Sequence, residues 1–154
     1  MKGIYWLIVS CVLLGCSNRN APQEINEIPP SFIIGDFQDD YDIRYTINDT
    51  VWLQHPSSKY NIIEWVPEGQ YLIAQNDTSN LGDGGLFTRI DWVELDGMPP
   101  YAWAFCLSAY NAKSAEDAAR VNIANRDMPK TGCNGFPFSR MQAIVSTDTT
   151  YSGE

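Results

Sequence analysis

The chain has 154 residues, with 19 Asp and Glu against 10 Lys and Arg, giving a formal net charge of −9. A field of that sign repels phosphate backbones, and no basic run with interleaved aromatics interrupts it, so nucleic acid is excluded as a partner class. The length and a 44% hydrophobic content allow one folded domain with a modest core.

Lys2 is followed by an uncharged run from Ile4 to Gly15. This run is well short of the roughly 20 residues that a membrane-spanning helix needs. A cationic start, an apolar centre and small residues at the exit have the form of an export signal. Leu13, Leu14, Gly15 and Cys16 stand in lipobox order, and on these residues the N-terminus resembles the signal peptides of bacterial lipoproteins. The resemblance implies that residues 1–15 are a cleaved lipoprotein signal peptide and that Cys16 is the lipid attachment site. It also makes the membrane a partner through the N-terminal lipid. Ser17, where Asp would favour inner-membrane retention, implies an outer-membrane destination facing the periplasm or the cell surface.

Without the signal, nine cations face 19 acids and the net charge becomes −10. Anionic lipid repels such a chain, so attachment would rest on acyl chains, each CH₂ contributing about 0.8 kcal/mol. The segment SNRNAPQEINEIPP is polar, proline-containing and aperiodic, which predicts a flexible tether over residues 16–31.

A single β-rich domain is expected over 32–144. FIIGDF breaks at Gly35, and the first clear strand is YDIRYTI, with Tyr41, Ile43, Tyr45 and Ile47 on one face. VWLQH, YNIIEWV, QYLIAQN, LFTRIDWVEL and YAWAFCLSAY follow, separated by turn-forming Asn, Asp, Gly and Pro. In the last of these, Tyr101, Trp103, Phe105, Leu107 and Ala109 oppose Ala102, Ala104, Cys106, Ser108 and Tyr110. Large side chains on one face predict a thick core, and small ones on the other predict a closely approaching element. The natural candidate is a helix over about 114–125, capped by Ser114 with Asp117 three residues on, whose narrow stripe is Ala115, Ala118, Ala119 and Ile123. A disordered tail is expected over 145–154.

The fold class that results is mainly β with one helix. It is an antiparallel meander of about six strands, either a small barrel or a strongly curved sheet, capped by the helix. A meander with a late helix is similar to the lipocalin-type calycins, although GDF at Gly35–Phe37 only echoes their Gly-x-Trp opening.

With Cys11 lost in the signal and Cys16 acylated, Cys106 and Cys133 remain for a disulfide in an oxidising compartment. The bond would close a loop of about 27 residues, for which chain entropy gives a little above 3 kcal/mol. A zinc site would need more ligands than His55, the single histidine, can add. A reactive thiol would need a neighbouring base that Cys133 lacks.

Within the strands, Arg89 and Asp91 are the polar residues of interest. They either pair structurally or point into a concave interior and contact a ligand, because a buried charge must be paired. In TGCNGFPFSRM, glycines bracket Cys133, and Phe136, Phe138 and Arg140 form a rigid hook that reads either as a disulfide-pinned closure or as an interaction loop. Asp36, Asp39, Asp40 and Asp42 read as solvated turn carboxylates, and NDTSNLGDGG misses the calcium-loop spacing. No metal site, cofactor motif or catalytic residue is assigned.

Three functions are compatible with these residues. The first is a lipid-anchored envelope protein with a small ligand-binding or protein-interaction module. The second is an envelope hydrolase using paired carboxylates, and the third is a structural lipoprotein of an envelope assembly.

Overall fold

The computed structural model describes residues 27–145, so the signal, Cys16, tether residues 16–26 and tail residues 146–154 lie outside the described region. A 3₁₀ turn at Ser31–Ile33 leads into β1 (Gly35–Asp39), β2 (Arg44–Ile47), β3 (Val51–Gln54) and β4 (Ser58–Val66). These are followed by β5 (Tyr71–Asn76), β6 (Phe87–Glu94), β7 (Trp103–Ala112), α1 (Ala115–Arg120) and β8 (Ser139–Ala143). Each strand pairs antiparallel with the next, and β8 pairs back onto β1, with Phe37 opposite Ala143 and Asp39 opposite Met141. The described residues therefore form a closed, eight-stranded up-and-down barrel with one α-helix. The barrel shares that strand number and order with the calycins.

The expected six strands become eight because each end of the domain supplies one more. Gly35 does not break the chain; at φ 142° it opens β1 opposite Ile47. β8 occupies residues read as part of a closing hook, and its polar sequence SRMQA places only Met141 in the core. The β1–β8 pair is what closes the sheet, and alternation within either segment carries no record of it.

Eight strands leave an interior just wide enough for side chains to fill. Here the filling is aromatic: Phe37, Tyr45, Trp52, Trp65, Trp92, Trp103 and Phe105 are buried with Leu72, Ile90 and Met141. Trp103 stands edge-to-face against Phe37 at 5.2 Å and Trp52 at 5.9 Å between ring centroids. Trp52 in turn meets Phe105 at 5.1 Å. Each such pair adds roughly 0.5–1.5 kcal/mol beyond the area it buries. Phe32 and Ile33 join this core from the segment before β1.

In β4 strict alternation fails in a way the packing explains. Tyr60 and Trp65 both point inward although five positions apart, an odd spacing that alternation forbids. A bulge between Ile62 and Glu64 restores the parity and turns Ile63 outward, where it is 48% exposed.

The helix is present but shorter than the expected 114–125. Ser114 Oγ accepts the Asp117 N–H, as its capping role requires, and the chain turns extended at Val121. α1 lies over β5, β6 and β7. The small outer face of β7 meets a different partner from the one expected: Ala104 and Cys106 pack against Phe138, not against the alanine stripe of α1.

Candidate functional site

Because the interior is filled, the outer wall of β6 and β7 is where polar chemistry gathers. Ile90 and Trp92 belong to the core, so Arg89 and Asp91 project outward from β6, beneath the connection formed by residues 113–138. Arg89 donates from Nε and Nη2 to the two Asp91 oxygens at 2.9 and 2.8 Å, and from Nη1 to the Ala119 carbonyl at 2.6 Å. Its guanidinium stacks 3.8 Å from the Tyr71 ring centroid. Ser108 on β7 donates to Asp91 Oδ2, and Arg126 from the connection donates to Oδ1, both at 2.5 Å. Arg126 also donates to the carbonyls of Trp92, Gly69 and Gln70. All four acceptor positions of Asp91 are thus filled, and the ion cluster fastens the connection to the wall instead of facing a ligand space.

A second fastening lies further along. Cys106 on β7 and Cys133 form a disulfide. Around it the connection folds on itself, with Asn134 and Gly135 both at positive φ and Cys133 and Phe136 exchanging two backbone hydrogen bonds at 2.9 Å. Gly132 is required here, because a Cβ would lie 1.9 Å from the Asn125 carbonyl oxygen.

These fastenings shape a cleft of about 400 Å³ between the connection and the barrel. Its apolar lining is Leu95, Met98, Ala104, Pro129, Pro137 and Phe138. Its polar lining is Asp40, Tyr41, Lys130 and Arg140. Asp40 and Arg140 are committed to one another: Arg140 Nε and N donate to Asp40 at 2.8 and 3.1 Å, and the guanidinium lies 4.6 Å from the Tyr101 ring centroid. The hydrogen bond to Asp40 holds the Arg140 pKa above its ordinary value.

The three residues of the expected hook are separated. Phe138 is buried at 2% exposure in the cleft floor, Arg140 lies in β8, and Phe136 stands 71% exposed at the turn beside the disulfide. Arg126 and Met98 were not singled out from the sequence, and for Arg126 no local pattern exists that would have marked it; Tyr41, expected on the apolar face of the first clear strand, instead lies exposed in the turn before β2.

The acidic run near β1 divides by environment. Asp39 is buried, not solvated: its Oδ1 accepts the N–H groups of Tyr41 and Ile43, and its Oδ2 accepts the Tyr45 hydroxyl at 2.9 Å. Burial first, and then this hydrogen bond, pushes the Tyr45 pKa far up. Asp36 accepts from the Thr46 hydroxyl at 2.6 Å, and His55 Nε2 lies 3.0 Å from the same oxygen. Among the described residues no three His, Cys, Asp or Glu side chains converge as metal ligands. No described helix is long and apolar enough to cross a membrane. No protein family, curated protein or solved structure matches the chain.

Proposed function

We propose that the chain is a lipid-anchored protein of a bacterial cell envelope, whose barrel docks another envelope protein at the outer-wall cleft. The anchor reading is supported by Leu13–Cys16 and the uncharged run before them, with Ser17 favouring the outer membrane. The observation that carries the docking reading is the filled interior. Among the described residues, rings packed at 5–6 Å occupy the barrel interior, while a preformed apolar cleft lies outside it. Asp40, the carboxylate that lines this cleft, is held by Arg140, so a paired-carboxylate hydrolase gains no support there.

Site-specific photo-crosslinking in intact cells tests the docking reading. A photoreactive residue at Tyr41 or Met98 is expected to give one discrete, identifiable adduct. The same group at Ile63, exposed on β4 across the barrel from β8, is expected to give none. Equal adducts from all three positions, or none from the cleft, would remove this function. For the anchor, Cys16→Ser is expected to release the protein into the soluble fraction; full membrane retention of that variant, with no acyl mass on the parent protein, would overturn the lipid attachment.

A further inference from the structure

We infer that the cleft takes an acidic, apolar-anchored segment of the partner protein, in which a large aliphatic or aromatic side chain stands next to Asp or Glu. This inference rests on the docking reading and adds the chemistry of the occupant.

The apolar half follows from the lining. At about 400 Å³ the cleft is near the small end of the range for ligand sites, room for one or two side chains and not for a folded element. Ala104 and Phe138 line it from the barrel wall, and Met98, Pro129 and Pro137 complete its apolar surface. The Phe138 N–H donates to the Pro129 carbonyl at 2.8 Å, and the Cys106–Cys133 bond fastens the same connection to β7. An occupant therefore meets walls already in position, which lowers the ordering cost of binding.

The acidic half follows from the three charged side chains that line the cleft, Asp40, Lys130 and Arg140. Asp40 is answered by Arg140, which donates to it from N and Nε. The charge left over is that of Lys130, which is exposed and makes no ion pair among the described residues. Nor is Arg140 exhausted: its Nη1 and Nη2 donate to no described residue, while Asp40 and the Tyr101 ring hold the guanidinium in place. Both cations flank the same apolar surface. Lys130 adjoins Pro129, whose carbonyl holds Phe138, and Arg140 stands two positions beyond Phe138. An apolar side chain seated on Phe138 thus brings a neighbouring carboxylate to unspent guanidinium N–H groups, with the Lys130 ammonium to balance its charge.

This excess of positive charge is local. A second cleft, lined by Glu27 and Asp49, has no cation in its lining, and in a third the formal charges of Asp36 and Arg44 cancel. A second copy of the chain would bring its whole net charge of −9 against an equal one. A partner segment needs only one or two carboxylates to match the cleft.

The test uses the full chain in nonionic detergent and the peptide Gly-Glu-Leu-Glu-Phe-Gly, blocked at both ends. One control peptide replaces Glu by Lys, and the other replaces Leu and Phe by Ser. Isothermal titration calorimetry is expected to show one-to-one binding of the first peptide, at least about tenfold tighter than either control. Lys130→Glu should weaken that binding by about tenfold with an unchanged urea midpoint, because Lys130 is exposed and unpaired. Lys113→Glu, an equal charge change at an exposed residue outside the cleft lining, should weaken it less than about twofold.

Equal loss in the two variants would show a general charge effect and overturn the site. No binding of the acidic peptide at about 1 mM, or equal or tighter binding of either control, would overturn the chemistry. Hexanoate binding as tightly as the peptide would assign the cleft to a small carboxylic acid instead. A dimer by light scattering that Lys130→Glu abolishes would assign it to a second copy, and a Met98 crosslink to residues 146–154 of the same chain would assign it to the chain's own end; either overturns the inference. If crosslinking from Met98 captures a partner whose contacting segment carries no Asp or Glu, docking stands and this inference alone fails.

Discussion

Arg126 reaches across 35 positions of sequence to place Nη2 2.5 Å from Asp91 Oδ1, on a carboxylate that Arg89 already holds with two hydrogen bonds. The cluster contains two guanidinium groups and one carboxylate. Five further donations to the carbonyls of Ala119, Trp92, Gly69 and Gln70, and from Ser108, complete it. Asp91 is fully buried, so Asp91→Asn leaves two guanidinium groups under the connection without their anion. A loss of about 3–5 kcal/mol is expected, read from the urea midpoint under non-oxidising and non-reducing buffer alike. Ser108→Ala removes one donor and should cost about 1–3 kcal/mol. An Asp91→Asn midpoint within error of the parent would show that the cluster does not hold the connection.

The disulfide should matter to the connection more than to the barrel. Replacing Cys106 and Cys133 together by Ala opens a 27-residue loop, with an expected loss of about 3–4 kcal/mol. Far-ultraviolet circular dichroism should still report the barrel, because the bond joins β7 to the connection and none of the eight strand pairings is made through it. Trypsin cleavage after Arg126 and Lys130 should become faster than cleavage after Arg44. Unchanged cleavage at those sites would mean that the ion cluster alone suffices.

Asp39 organises the β1–β2 turn through acceptors only, and this separates two substitutions. Asp39→Asn keeps one oxygen for the Tyr41 and Ile43 N–H groups, and the Tyr45 hydroxyl can reverse its role toward the new amide. Its expected cost is below about 1.5 kcal/mol. Asp39→Ala strands all three donors and should cost about 3 kcal/mol or more. Equal midpoints for the two variants in chemical denaturation would show that the turn does not depend on these bonds.

Alkaline pH should unfold the protein from the inside. Burial raises the pKa of both Tyr45 and Tyr60 above the ordinary 10.0, with the Asp39 hydrogen bond adding to Tyr45 and the charge of Asp83 adding to Tyr60. The unfolded chain therefore gives up these phenol protons first. Their contribution is complete below pH about 10 and is lost as pH rises beyond it. The thermal midpoint should fall steeply above pH 10, and Tyr45→Phe should be less stable at neutral pH yet show a shallower alkaline fall. At the acid end, Asp77 is held at about 2 by the hydroxyl and N–H of Ser79, below the ordinary 3.8. Its contribution is present above pH 3.8 and is lost as pH falls through about 2, a slope that Asp77→Asn should remove.

The sequence alone determined which segments are strands wherever one face is apolar and the other is not. The middle of the chain, from Tyr45 to Ala109, was legible for that reason, and so were the Ser114 cap and the pairing of the two late cysteines. Each of these signals is local, or follows from composition and compartment. Closure was not legible, because β1 is interrupted by acids and β8 is polar except at Met141; their mutual pairing spans the whole domain and is stabilised only once the core between them exists. The direction of Arg89 and Asp91 was equally undecidable, since an ion pair is possible on either face of a strand. Tertiary structure placed it outside because tryptophans fill the inside, and because a connection carrying Arg126 crosses that wall and shields the charges from water. The same crossing made the cleft, whose lining comes from five separate stretches of chain that only the fold brings together.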